Sequence, residues 1–254
     1  MTDESLPGRH DESLSRRSDR AASEKKTKQR SIKYFLRDLL IIFLVAILVS
    51  FLIKTFIVRS FYIPSGSMEN TLQINDLIIV NELEPNLMPI HRGDVVVFTD
   101  PGGWLPPSTE KNTNTNPVEW ALSLIGLAAP DSDDHLVKRV IGLPGDHVSC
   151  CNALGQLSVN GSPLNEPYIK LPPGENEAAS LHFSVTVPKG DLWVMGDNRW
   201  DSQDSSRNQN LPGKGFVPEK DVVGRAILIS WPISRWTWLS NYPDVFSGVE
   251  SEKK

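Results

Sequence analysis

The strongest hydrophobic signal lies near the start of the chain. Leu39 to Ile53 is an apolar run of 15 residues, and beyond Lys54 the stretch Thr55-Phe-Ile-Val58 extends it to 20. A helix of that length rises ~30 Å, the thickness of a bilayer's hydrocarbon core. The pattern therefore predicts one transmembrane helix over residues 39–58, with Lys54 one turn from its end and able to snorkel to the headgroups. Past Val58 the pattern changes to short β-branched runs: Leu77–Val80, Asp94–Phe98, His147–Ser149, Leu157–Val159, Phe183–Val187, Leu192–Met195 and Val223–Ser230. Turn signals separate them, among them Arg92-Gly-Asp, Leu143-Pro-Gly-Asp, Pro188-Lys-Gly-Asp and Gly196-Asp-Asn. Asn160-Gly161 between two such runs predicts a type I′ hairpin, a stronger reading of Asn160-Gly-Ser than a glycosylation sequon. Helices do not alternate with strands, which excludes a doubly wound sheet. The fold class expected is mostly β, with antiparallel sheets.

Residues 99–134 break this rhythm. Pro, Gly, Asn and Thr dominate, as in Asn112-Thr-Asn-Thr-Asn-Pro117, and read as a long polar loop. Val118–Leu127 inside it predicts a short apolar helix, so the segment has the character of an insertion over the sheet or at a membrane surface.

Charge orients the chain. Residues 1–38 carry 10 Lys/Arg against 7 Asp/Glu, and the stretch 16–37 alone nets +7. Residues 59–254 net −9, within an overall charge of −5. A basic flank on the N-terminal side of an apolar span keeps the N-terminus in the cytoplasm and sends the remainder outward. Residues 1–30 hold almost no large apolar side chain and are expected to be disordered. The span ends Phe-Ile-Val-Arg-Ser-Phe, without the small residues that a cleaved signal peptide needs, so it reads as a retained anchor. Three segments are thus predicted: 1–38, a basic cytoplasmic tail; 39–58, a signal anchor; and 59–254, an extracytoplasmic β-rich domain.

Composition limits the chemistry. Two cysteines, Cys150 and Cys151, cannot build a disulfide scaffold, and the five histidines show no metal-ligand spacing. No metal or cofactor is expected, and the net negative charge argues against nucleic acid. Cys150 and Cys151 are expected either as free thiols or as a vicinal bond.

Three segments could carry chemistry. Ile63-Pro-Ser-Gly-Ser-Met68 presents hydroxyls on a turn with little steric cover, a few residues past the anchor. In His135-Leu-Val-Lys-Arg-Val-Ile-Gly-Leu-Pro-Gly-Asp146, strand alternation sends Lys138 and Arg139 to opposite faces. Unless the strand is an edge, one of them must face apolar surroundings, where desolvation favours a neutral lysine amine. A neutral lysine can take a serine's proton. The third segment, Met195-Gly-Asp-Asn-Arg-Trp-Asp-Ser-Gln-Asp-Ser-Ser-Arg207, is dense in hydrogen-bonding groups. There Asp204 is expected to form a buried ion pair with Arg139 or Arg207.

In this order, behind an anchor, these motifs resemble the bacterial type I signal peptidases (leader peptidases), through Ser65–Met68, Arg92–Phe98, Lys138–Asp146 and Gly196–Arg207. The resemblance spans roughly residues 39–232 and is closest to the single-anchor forms of Gram-positive and actinobacterial type. It implies a membrane-bound serine endopeptidase that cuts signal peptides from exported preproteins after small residues at −3 and −1. Its partners would be those preproteins and the lipid bilayer, with an export translocon as a candidate neighbour. By resemblance, Ser67 is the nucleophile and Lys138 the general base. Ser65 serves the oxyanion hole beside the Ser67 backbone N–H, and Ser202 holds the Lys138 amine. Asp204 organises the arginines behind the site, Arg139 and Arg207. Phe61, Ile63, Pro64, Leu136 and Val137 line the pockets for small side chains. The chain departs from the family pattern in three places: Asn70 replaces a usual proline, Leu136 a frequent aromatic, and Ser205-Ser206-Arg207 carries an extra residue before the arginine. A self-cleaving repressor with a Ser–Lys pair, which would be soluble and carry a DNA-binding helix pair, fits less well because of the anchor. An inactive tethered β-scaffold fits less well because Ser67, Lys138 and Ser202 are all present.

Overall fold

The computed structural model describes residues 34–50, 58–105 and 135–249. The chain divides into two compact units, Met1–Ile53 and Lys54–Lys254. In the first, residues 34–50 form a helix, α1, with exposed side chains. Among the described residues no helix is long and apolar enough to cross a membrane. The predicted span 39–58 runs on through 51–57, which lie outside the described residues, as do the tail 1–30 and the short helix expected at Val118–Leu127.

The second unit is built of antiparallel strands: β1 (Val58–Tyr62), β2 (Leu77–Asn81), β3 (Val95–Thr99), β4 (His135–Gly142), β5 (His147–Cys150), β6 (Ser158–Val159), β7 (Ser162–Pro163), β8 (Phe183–Thr186), β9 (Asp191–Met195), β10 (Val217–Pro218), β11 (Val222–Trp231) and β12 (Thr237–Trp238). The large sheet runs β1-β2-β11-β3-β4-β9-β10, with β12 beside β11, and the small one runs β7-β6-β5-β8. Val58, the last residue of the predicted span, is the first residue of β1 and pairs with Asn81. Nothing in a short apolar stretch distinguishes a helix tail from a strand, and here pairing with β2 decides.

The burial pattern explains the sequence pattern. In β2 only Ile78 and Val80 are fully buried, as alternation requires of a strand with one face on the core. β3 is buried on both faces. Val95 and Val97 join a cluster with Phe61, Ile63, Met68 and Ile78, whereas Val96 and Phe98 join one with Trp104, Leu136, Val140 and Val194. A strand covered on both sides reads as a continuous apolar run. A third cluster, on Ile141, Val148, Phe183 and Trp193, draws on strands of both sheets. The hairpin β6–β7 turns at Asn160 (φ 50°) and Gly161 (φ 79°), the two positive φ values of a type I′ turn. Cys150 and Cys151 form a vicinal disulfide, one of the two states their adjacency allowed.

β4 is the strand on which the two buried cations meet the core. It is an interior strand, paired with β3 through Val96↔Lys138 and with β9 through Arg139↔Met195. With no free edge, neither Lys138 nor Arg139 can snorkel to water.

Candidate active site

The loop joining β1 and β2 carries the Ser-Gly-Ser-Met turn. Its base is closed by two backbone bonds, Ile63 N–H to Asp76 O (2.9 Å) and Asn75 N–H to Ile63 O (3.0 Å). Met68 and Leu72 are buried in the apolar cluster below and pin the turn from beneath. The backbone continues as a short helical turn, with the N–H groups of Thr71 and Leu72 both donating to Met68 O. Asn70 sits at φ +84°, a conformation closed to proline, and its amide donates to Ile169 O at 2.7 Å. The asparagine at a position where the family pattern has proline thus has a local reason.

The clamp from above comes from the residues after β9. Asn198 N–H donates to Ser67 O (3.0 Å) and Asn198 Nδ2 to Gly66 O (3.0 Å). Asp197 N–H reaches Met68 Sδ at 3.4 Å. Gly196 is needed for this approach: a Cβ there would lie 2.3 Å from Ser202 Oγ and 2.5 Å from Ser67 O. Between the two anchors Ser67 is held with only 9% of its surface exposed.

Lys138 meets it from β4. Its Nζ lies 2.7 Å from Ser67 Oγ and donates to Val137 O at 3.0 Å. Lys138 is 2% exposed, on the same strand face as Leu136 and Val140. Burial pulls its pKa down from 10.5 to about 8, against the opposing pull of the Asp204 and Asp197 carboxylates. A fraction of the amine is therefore neutral near physiological pH, far more than for an exposed lysine. Ser65 Oγ lies 3.3 Å from Ser67 Oγ.

Arg139 points to the opposite face and is fully buried. Its partner is Asp197, through Nε–Oδ1 at 2.9 Å and Nη2–Oδ2 at 2.7 Å. It also donates to Gly93 O and Ser240 O and lies 4.1 Å from the Tyr168 ring. The ion pair expected for Asp204 is thus a correction. Asp204 instead accepts from Gly196 N–H (3.0 Å), Ser206 N–H (3.0 Å) and Ser206 Oγ (2.6 Å). Its oxygens are engaged by the turn that follows β9. The Arg207 guanidinium donates to Ser180 Oγ and Trp200 O and not to the Asp204 carboxylate, although the Arg207 backbone N–H bonds Asp204 O at 3.1 Å. Ser202 is a second correction. It is buried beside the site, but its Oγ has no hydrogen-bond partner among the described residues, and the amine it was expected to hold bonds Val137 O instead.

Phe61, Ile63, Pro64, Leu136 and Val137 line, with Ser65, Ser67 and Lys138, one cavity of about 180 Å³. Sequence reasoning missed Gly196, Asp197 and Asn198 as the elements that hold Ser67 and Arg139. Their signal is present, since Gly196-Asp-Asn follows an apolar strand directly, but the resemblance points to Ser202, Asp204 and Arg207, four to eleven positions later. A serine hydroxyl against a buried, partly neutral amine at the floor of an open cleft is equipped for nucleophilic attack on an acyl carbon.

Residues 36–231 match the family described as signal peptidase, peptidase S26. The chain is 40% identical over 211 residues to the probable signal peptidase I of Mycobacterium leprae, covering 72% of this chain and 71% of that one. It is 41% identical over 201 residues to signal peptidase I of Mycobacterium tuberculosis (72% and 68%). It is 38% identical over 183 residues to probable signal peptidase I-2 of a Synechocystis species (72% and 67%). The chain belongs to the S26 peptidases, and within them its enzyme class is bacterial signal peptidase I.

Proposed function

We propose that this enzyme removes signal peptides from exported preproteins with Ser67 as nucleophile and Lys138 as general base, cutting after small residues at −1 and −3. The observation that carries the reading is the 2.7 Å contact between Ser67 Oγ and the buried Nζ of Lys138. The neutral amine takes the Ser67 proton as Oγ attacks the scissile carbonyl carbon. The carbonyl oxygen becomes an oxyanion, stabilised by the Ser67 backbone N–H and by Ser65 Oγ once that hydroxyl turns from Ser67. Lys138, now an ammonium, keeps the Val137 carbonyl as an acceptor. It then protonates the leaving amine as the C–N bond breaks. Water, deprotonated by the same lysine, attacks the ester and releases the signal peptide. The shallow cavity walled by Phe61, Ile63, Pro64, Leu136 and Val137 favours small side chains before the cut.

The apolar stretch from Leu39 up to the start of β1 serves in this proposal as the single anchor, with 1–38 cytoplasmic and the β-rich domain outside. The anchor keeps Ser67 near the bilayer, where a preprotein's own apolar segment delivers its cleavage site, and a translocon would be the natural neighbour. The test is incubation of the full chain in detergent micelles with a preprotein. Cleavage after an Ala-x-Ala segment that disappears in Ser67→Ala and in Lys138→Arg supports the mechanism, since arginine cannot deprotonate. Near-normal turnover by Lys138→Arg overturns it.

A further inference from the structure

The reacting pair does not sit at the end of one cavity. It sits between two. A second cavity, of about 310 Å³, shares Ser65, Ser67, Leu105, Leu136 and Lys138 with the first but extends toward Trp104 and the segment Trp200–Gln203, which do not line the first. Its aromatic walls are fixed. Trp104 is buried edge-on against Phe98, with ring centroids 5.7 Å apart. Its backbone N–H and those of Gly102 and Leu105 all bond the Asp100 carboxylate. Trp200 is tied at both ends: its indole N–H donates to Glu177 O at 3.2 Å, and its carbonyl accepts from Arg207 Nη2. Arg207 is thereby committed to holding the wall.

We propose that this second cavity is the subsite for the first two residues of the mature protein, +1 and +2, and that Trp200 and Trp104 set a preference there for side chains larger than those tolerated at −1. The inference rests on the reading of Ser67 and Lys138 as the reacting pair. A peptide bond cut at Ser67 has a chain on both sides. If residues before the cut occupy the cavity of Phe61 and Ile63, those after it, about 3.8 Å per residue along the backbone, must leave across Lys138 and Ser202. The second cavity opens in that direction, and it meets the first at the reacting pair. The held and partly exposed indole of Trp200 offers apolar surface without a mobile side chain to order, with the buried Trp104 closing the wall, which suits a large +1 or +2 residue. The first cavity is the smaller, about 180 Å³ against about 310 Å³, and suits small ones.

Two experiments on the full chain in detergent micelles test this. In the first, peptides with Ala-x-Ala before the cut carry a benzophenone side chain at +2 or at −3, and the labelled residue is mapped by mass spectrometry. Labelling of Trp104 or the Trp200–Gln203 segment from +2, and of the Phe61–Pro64 segment from −3, is expected. Labelling from +2 on the Phe61 side, or on neither cavity, overturns the assignment. In the second, kcat/KM is measured for peptides that differ only at +1 and +2. A gain of roughly tenfold from Gly to Phe is expected, this being the scale of a well-filled apolar pocket. Trp200→Ala should flatten it to within about twofold while the preference for Ala over Val at −1 persists. An equal loss for every peptide in Trp200→Ala would make Trp200 merely structural and would overturn the specificity role. Should labelling appear as expected but no peptide be cut, the proteolytic reading fails and the subsite assignment stands on the labelling.

Discussion

Replacing Lys138 with methionine should stabilise the protein while abolishing its activity. The fold holds this amine out of water and lowers its pKa from 10.5 to about 8. The unfolded chain therefore binds the proton more tightly than the folded one, and ionisation of the unfolded chain works against folding. That cost is absent well above pH 10.5, grows as pH falls toward about 8, and is level below it. At 1.36 kcal/mol per pH unit the plateau is roughly 3 kcal/mol, falling to roughly 2 kcal/mol at pH 9. Methionine keeps most of the apolar stem but leaves Ser67 Oγ and Val137 O without this partner, a loss of about 1 kcal/mol. A net gain of about 2 kcal/mol near pH 7 should raise Tm by roughly 4–8 °C for a domain of this size. The assay is thermal unfolding of the full chain in detergent, followed by circular dichroism at pH 7 and pH 9. The pH dependence is the sharper test, because the lost hydrogen bonds weigh equally at both values while the proton-linked advantage shrinks by about 1 kcal/mol. In the unsubstituted enzyme kcat/KM should climb with pH and level off above about 8. A variant that melts below the parent by the same margin at both pH values would refute the argument that burial neutralises Lys138.

Three further outcomes are expected from the geometry around Ser67. Ser65→Ala should lower kcat by about 10²–10³ with KM little changed, since the hydroxyl acts on a charge that exists only in the transition state; steady-state kinetics on a signal-peptide substrate checks the split. Gly196→Ala should lose at least tenfold in kcat, because the new methyl would meet Ser202 Oγ and Ser67 O at less than van der Waals distance, and a nucleophile displaced by even an ångström is costly. Asp197→Ala should destabilise the domain by about 3–5 kcal/mol, as it strands the fully buried Arg139 guanidinium. Denaturant melts should show this, with Asp197→Asn milder.

Much of the site is legible in the sequence, for identifiable reasons. Alternation along His135–Gly142 requires Lys138 and Arg139 to face opposite ways, and the Pro-Gly turn after it marks the strand's end. What alternation does not contain is whether the strand is an edge. Lys138 is buried because β3 and β9 flank β4, and β9 reaches it only across more than fifty residues of chain. The same gap explains the error at Asp204. The segment 196–207 offers three aspartates, Asp197, Asp201 and Asp204, and composition does not rank them. The Arg139↔Met195 register does, because it places Asp197 just past the end of β9, beside the guanidinium, while Asp204 lies beyond a turn whose backbone N–H groups it satisfies. Val58 departs from its expected helix for a related reason: an apolar residue between a helix and a strand takes its state from the partner it finds.

The adjacent pair Lys138 and Arg139 shows how residue type decides the outcome of the same burial. Both side chains are almost wholly removed from water, and an unpaired charge cannot remain there at small cost. Arginine cannot shed its proton, so its side of β4 must supply a counter-charge, and Asp197 does so with two hydrogen bonds, supplemented by the Gly93 and Ser240 carbonyls and the Tyr168 ring. Lysine can shed its proton. Among the described residues its side of the strand supplies no ion pair at contact distance, only Ser67 Oγ and the Val137 carbonyl. The Asp197 and Asp204 charges favour the ammonium but not enough to outweigh desolvation, and the balance falls at about 8. A third carboxylate brought into contact with Nζ would return the amine to its ordinary range and remove the base. Complete isolation from carboxylates would depress it further and leave an amine too weak to take the proton. On this reasoning Asp204 acts through its charge at Lys138 as well as through the turn it holds. Asp204→Asn, which removes the charge and keeps one of the two acceptor oxygens that Gly196 and Ser206 use, should shift the ascending limb of the pH–activity profile to lower pH and reduce the plateau rate. A limb that stayed in place would mean that Asp204 contributes only the turn.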